Sequence, residues 1–221
     1  MTIAQRIAQI RAHLPESVRL IAVTKQVSVD AMMQAYQAGI RDFGESRLQE
    51  AQGKSEQLGD LPGLTWHLIG HLQSNKVKPA LDRFHWIHSI DSLKLAQRVD
   101  RLAEGLEVKP KVCLQVKILP DPNKSGWQIP ELMGDLGTLN QCKNLEITGL
   151  MTIPPLGLDQ AQTLALFERT RQLAQEIQAQ NWDQISLQEL SMGMSGDYHL
   201  AVQAGSTMVR LGTILFGERS P

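Results

Sequence analysis

Lys25 closes the run RLIAVTKQ (19–26), in which Ile21, Ala22 and Val23 have the character of a strand inside a sheet. If the alternation of Ile21 and Val23 continues, the Lys25 amine points where those side chains point. An unpaired buried ammonium is costly, so such an amine needs a partner, a lowered pKa or a chemical change. Arg210 interrupts a second apolar run, in GSTMVRLGTILFGER (205–219). Ser191 and Gly193 lie in LSMGMSGD (190–197), before a helix start, and Gly212 and Thr213 follow the strand that carries Arg210. Small residues let backbone N–H groups close on an anion, and a helix N-terminus adds positive potential. An amine on one side, with an anion cup and a fixed cation on the other, suits a phosphorylated aldehyde held as an imine.

Pyridoxal 5′-phosphate has those three handles: an aldehyde for Lys25, a phosphate for N–H donors, and a ring nitrogen that needs a partner. Arg210 beside the ring nitrogen would keep it unprotonated, because adjacent cations repel. Imine formation would also remove the buried ammonium at position 25.

The elements that must position these residues alternate. Strand-like runs fall at 19–25, 41–44, 65–70, 86–89, 111–118, 146–152, 186–191 and 207–212. Helical stretches separate them. Ser28 can cap a helix with Val29, Met32, Met33 and Tyr36 on its inner face, stopped by Gly39. Ser46 can cap the next, to about Gly59, and 74–81 is short. Ser92 caps one with Leu95, Val99, Leu102 and Leu106 in line; Pro130 suits the first turn of another. Asp159 caps the longest, with Leu166, Phe167, Thr170, Leu173, Ala174 and Ile177 inward, and Ser195 caps the last. Eight such units predict an α/β fold, a closed parallel (β/α)8 barrel in one domain over 1–221, with chemistry at the carboxyl ends of the strands. Little chain follows the eighth strand. The helix striped by Ile3, Ile7, Ile10 and Leu14 can fill the gap in the outer ring. An open doubly wound sheet is the alternative, but the glycine-rich dinucleotide loop is missing after strand one.

Composition sets the bounds. The chain has 221 residues, 42% hydrophobic and 20% charged, with a formal net charge of −1, as an ordinary globular protein does. That balance disfavours a nucleic-acid partner, which needs a basic face. No segment is apolar enough to span a bilayer, and the N-terminus lacks a signal peptide's apolar stretch. Cys113 and Cys142 form no framework; Cys113 reads as a small core residue. A reduced, cytoplasmic setting is expected.

The motifs WHLIGHLQSNK (66–76), GLMTIPP (149–155), LSMGMSGD and GSTMVRLGTILFGER, together with AVTK (22–25), resemble the YggS/PROSC family of pyridoxal phosphate homeostasis proteins over essentially the whole chain. The resemblance implies a modified TIM barrel of fold-type III, similar to the N-terminal domain of alanine racemase, with an extra N-terminal helix and no second domain. It implies that Lys25 is the Schiff-base lysine, that Ser191, Gly212 and Thr213 hold the phosphate, that Arg210 faces the pyridine nitrogen, and that Met151 and Ser46 line the ring pocket. It also implies pyridoxal phosphate binding and amino-acid homeostasis without established turnover, as a monomeric carrier or buffer that could serve apo-enzymes. Two positions depart from the family pattern. Ser46 stands where asparagine is usual, which shortens a polar contact, and Lys117 also replaces an asparagine and adds an amine to the rim.

Rival readings make separate demands. A fold-type III racemase or decarboxylase needs an opposing catalytic group, which a lone barrel does not supply. A metal-dependent hydrolase is suggested by His67, His71, His85 and His88. On an extended segment, however, His67 and His71 would sit about 13 Å apart, and His85 and His88 would face opposite sides. Packed or hydrogen-bonded histidines are expected instead. Gly193-Met194-Ser195 fails the G-x-S-x-G elbow at Asp197. The segment GESRLQEAQGK (44–54) reads as an exposed charged helix, a solvated face or a partner surface.

Overall fold

Strands buried on both sides must find apolar cover on both, and here the strands close on themselves to obtain it. The computed structural model describes residues 1–217. Its elements alternate from α1 (Ile3–Arg11) through β1 (Arg19–Val23), α2 (Val29–Gln37), β2 (Asp42–Glu45), α3 (Leu48–Leu58), β3 (Thr65–Leu68), a 3-10 turn (Ser74–Lys76) and α4 (Val77–Leu81). They continue through β4 (Trp86–Ile90), α5 (Leu93–Ala103), β5 (Lys111–Lys117), β6 (Trp127–Gln128), α6 (Ile129–Leu139), β7 (Glu146–Met151) and α7 (Gln160–Gln178). The last are β8 (Ile185–Ser191), α8 (Tyr198–Gln203), β9 (Met208–Leu211) and α9 (Thr213–Phe216).

Every pairing is parallel, and the ring runs β1-β2-β3-β4-β5-β7-β8-β9 and back to β1. The expected eight-stranded barrel is present. The two-residue β6 beside β5 was not foreseen. Residues 218 and 219, the end of the last motif, lie outside the described residues.

The two faces of the barrel wall are unequal. Outward strand residues such as Ala22, Phe43, Leu68, Ile87, Leu114, Leu150, Val209 and Leu211 join the helices in one large apolar layer. Inside, a smaller apolar cluster holds Ile21, Trp86, Cys113, Met151 and Met208. The rest of the interior is polar: His67, His88, Ser191 and Arg210 are all buried there. Helix α1 packs against α2 and α9 and closes the outer ring where α9 is short.

Local chemistry sets most helix starts. Thr2 and Gln5 form a capping box on α1, and Asp159 and Gln162 form one on α7. Ser28 and Ser92 cap α2 and α5 as expected. Each such cap contributes about 1 kcal/mol. Two expected caps are corrected. Helix α3 starts after Arg47 with no side-chain cap, and Ser46 sits one residue too early. Helix α8 starts at Tyr198, three residues beyond Ser195. Leu106 falls beyond α5, which ends before Gly105 at φ 82°, and is 41% exposed.

The wall is tightest at Gly149, where an added Cβ would lie 2.2 Å from the Glu189 carbonyl oxygen on the neighbouring strand. That atom is backbone in a paired strand and cannot yield cheaply. Gly149→Ala should cost at least about 3 kcal/mol in urea denaturation. Gly134 in α6 has nothing within 4 Å of its added Cβ, so Gly134→Ala should gain about 0.5–1 kcal/mol. Equal effects for the two would contradict this account of the wall.

Candidate functional site

Strand β1 ends two residues before Lys25, not at it as the sequence suggested. Thr24 still donates its N–H to Gly44 O at 3.0 Å, and Gln26 turns the chain with φ 58°. Lys25 is half-buried in that turn. An ionic clamp holds the turn. Lys54 Nζ donates to Thr24 O at 2.5 Å, to Glu45 Oε1 at 2.8 Å and to Glu50 Oε1 at 2.6 Å. These are all three donors an ammonium has. Thr24 Oγ1 donates to Glu45 Oε1 at 2.7 Å, and the Gln26 N–H donates to Glu50. Burial pushes the Glu45 carboxyl up against the pull of Lys54 and Thr24. At Glu50 burial also pushes upward, but bonds from Lys54 and the Gln26 N–H together hold the carboxyl below its ordinary value. The charged helix read as a solvated face therefore buries Lys54 as the clamp's centre.

Across the rim, the loop after β8 meets the loop after β9. Gly193 has φ 94°, and an added Cβ would lie 2.6 Å from Ala201 Cβ, so only glycine fits this bend. Arg210 N donates to Gly193 O at 3.0 Å and stitches the loop to β9. Ser195 Oγ accepts from Gly212 N at 3.3 Å and, more weakly, lies 3.5 Å from Ile214 N. Its hydroxyl thus sits among the N–H groups of the cup.

Ser191 lies elsewhere. It is fully buried, and its Oγ is 2.6 Å from Arg210 Nη1 and 2.7 Å from His88 Nδ1. Arg210 Nη2 donates to Thr152 O at 3.0 Å. Burial lowers the Arg210 guanidinium to about 10, which leaves it charged at neutral pH. A hydroxyl that accepts from Arg210 and gives its proton to His88 has no donor left for an anion. Ser195 is the hydroxyl placed for one, and it was read from sequence as a helix cap. Met151 is buried in the inner cluster below the rim. Ser46 is half-buried where Gly70 approaches it: an added Cβ there would lie 2.2 Å from Ser46 O. Lys117 is half-buried at the end of β5.

The four histidines do not converge on one point; only His67 and His88 meet. His71 is exposed and paired with Asp91 at 2.9 Å, and His85 Nδ1 accepts from Trp66 N at 3.0 Å. His67 Nδ1 is 2.9 Å from His88 Nε2, and His67 Nε2 is 3.0 Å from Asp42 Oδ1. Among the described residues no group of three or more metal-ligating side chains forms.

Residues 1–220 match the family model described as "Alanine racemase, N-terminal domain". Alanine racemase of Clostridium difficile shares the fold, at 16% identity and a TM-score of 0.79, over 100% of this chain and 57% of that one. Barrel and rim thus define an alanine-racemase-type barrel. Nearer relatives narrow the class. A pyridoxal phosphate homeostasis protein of Synechocystis is 52% identical over 212 residues, 96% of each chain. The Escherichia coli protein of the same description is 36% identical over 230 residues, 98% of this chain and 97% of its own. PipY of Synechococcus elongatus, solved with PLP bound, is 53% identical with a TM-score of 0.93, over 98% of this chain and 100% of PipY. The chain belongs to the family of pyridoxal phosphate homeostasis proteins.

The buried imidazoles carry a pH signature. Burial lowers His67 and His88 from the ordinary 6.5, His88 well below it. The unfolded chain gains those two protons near 6.5, and the folded chain only at lower pH. Their contribution is full above that value and is lost as pH falls, by up to about 1.4 kcal/mol per unit for each histidine. Glu45, raised by burial, works in the opposite sense with one proton. His85, also lowered by burial, acts with the two histidines, so three protons oppose one and the urea midpoint should fall between about pH 7 and about pH 5. A midpoint constant across that window would refute their neutrality in the fold.

Proposed function

We propose that this protein binds pyridoxal 5′-phosphate at the carboxyl rim of the barrel, through a Schiff-base linkage to Lys25, and serves vitamin B6 and amino-acid homeostasis as a carrier or buffer. One observation carries the reading. The parallel register sets Ile21 beside Arg210, so Lys25 lies four residues further toward the mouth on the adjacent strand's turn. An amine and a buried guanidinium thus flank one opening, with the Gly193–Ser195 and Gly212–Thr213 loops beside it. The donor set fits the group. Gly212, Thr213 and the Ser195 hydroxyl suit a phosphate, Arg210 suits an unprotonated ring nitrogen, and Met151 and Ser46 suit the floor and side of the ring. When bound, the cofactor supplies an aldehyde that condenses reversibly with primary amines.

This chain's own residues do the rest. The Lys54 clamp fixes the backbone on either side of Lys25, so the amine is presented from a rigid turn. Arg210 stays charged at neutral pH and disfavours ring protonation, which suits storage better than carbanion chemistry. The homeostasis relatives are 36–52% identical, whereas the racemase shares only the fold, and this favours holding over turnover. The same reading places the protein in the cytoplasm as a monomer that passes cofactor to apo-enzymes. Two free, buried cysteines are consistent with a reducing compartment.

Borohydride treatment of the loaded protein should fix one cofactor equivalent on the peptide containing Lys25, and Lys25→Ala should abolish both adduct and visible band. A Lys25→Ala protein that keeps the reducible band would overturn the linkage. For the carrier role, loaded protein should reactivate an apo-enzyme faster than a free-cofactor trap intercepts release. Equal rates with and without direct contact would remove that role.

A further inference from the structure

Beneath the rim, five side chains form a continuous column through the barrel: Arg210, Ser191, His88, His67 and Asp42. Its ends fix its direction. A guanidinium only donates, and a carboxylate only accepts. Arg210 Nη1 donates to Ser191 Oγ at 2.6 Å. The hydroxyl then gives its single proton to His88 Nδ1 at 2.7 Å. With Nδ1 accepting, His88 carries its proton on Nε2 and donates to His67 Nδ1 at 2.9 Å. His67 in turn donates from Nε2 to Asp42 Oδ1 at 3.0 Å. Every proton is accounted for with both rings neutral and each in one tautomer. A further proton on the column would require Ser191 to turn its hydroxyl proton away from His88, and on His67 also a change of the His88 tautomer.

The groups around the column are consistent with that state. Arg19 lies 3.9 Å from Asp42 and over the Trp86 ring at 5.1 Å, with Glu189 3.8 Å from Arg19 and Lys111 over the same ring at 5.5 Å. Trp86 stacks on His67, 5.8 Å between centroids and 16° between planes, which fixes that ring's plane. At the upper end Asp197 and Cys113 are the titratable groups that influence Arg210.

We propose that Ser191, His88, His67 and Asp42 are positioning residues for cofactor binding: a hydrogen-bond column of single polarity that locks the Arg210 guanidinium against the ring nitrogen. The last link rests on the cofactor reading above, while the column's polarity is a property of the chain alone. A serine at the end of β8 and two histidines of the "packed" class thereby gain a role that reaches the site through Arg210.

The test uses full-length protein with 15N-labelled histidine, without and with pyridoxal phosphate. Two of the six histidines should each show one protonated and one bare ring nitrogen, with the proton on Nε2, from about pH 8 down to 6.5, where an ordinary imidazole is half charged. Ser191→Ala should leave both tautomers, which the Asp42 end fixes, and should shift the bare Nδ1 of His88, which loses its donor. In the loaded protein it should shift the visible band and its pH profile and weaken cofactor retention about tenfold. An imidazolium or an Nδ1–H tautomer at either ring of the wild-type protein overturns the column. Ser191→Ala with an unchanged band, pH profile and retention overturns the link to the cofactor. Correct tautomers without a borohydride-trapped adduct at Lys25 would instead indict the cofactor reading, and a normal adduct with titrating rings would indict the column alone.

Discussion

A guanidinium sits inside this barrel at 3% exposure, and the interior is built around it. A cation in that position needs oxygen partners for its donors. Among the described residues Arg210 makes no ion pair. Thr152 O takes one nitrogen, and the Ser191 hydroxyl takes another. The compensation is carried away from the rim by neutral rings to Asp42 at the opposite mouth. That arrangement explains why the barrel core is not the usual layered packing of branched apolar side chains. Its apolar cluster is small, and the volume beside it is occupied by the polar column and by Trp86.

The outer layer carries the stability that such an interior gives up. The large apolar layer between strands and helices runs round the ring, and α1 seals it where α9 covers little. A rigid shell is what allows the rim to be precise. Lys25 is on a turn pinned from both sides, and the opposite loops are tied through Gly193 O and Ser195 Oγ. The rim is therefore held by hydrogen bonds that tie its loops together, alongside the close packing at Gly193.

Much of the fold was legible in the sequence because parallel strands and amphipathic helices declare themselves by period. Lys25 and Arg210 were legible because charge interrupts an apolar run. The clamp and the column were not. Asp42 is 25 positions from His67, His67 is 21 from His88, and His88 is 103 from Ser191. Only closure of the ring brings them into line. Lys54 looked solvated because helical spacing does not reveal that Glu45 lies beneath it. Ser195 and Ser46 were read as caps because serine before a helix is ambiguous by one turn; the hydrogen bonds of Ser195 decide its case. Strand ends shifted by one or two residues where backbone pairing continues past the regular dihedrals, as at Thr24.

The two thiols have a consequence for chemical selectivity. Burial keeps Cys142 up at about 11 and Cys113 higher still, so neither ionises at neutral pH. Sulfur attacks carbon electrophiles as thiolate. A reactive carbonyl delivered to this molecule therefore encounters nitrogen nucleophiles rather than thiolates. The chain can sit beside an aldehyde for long periods without hemithioacetal side products.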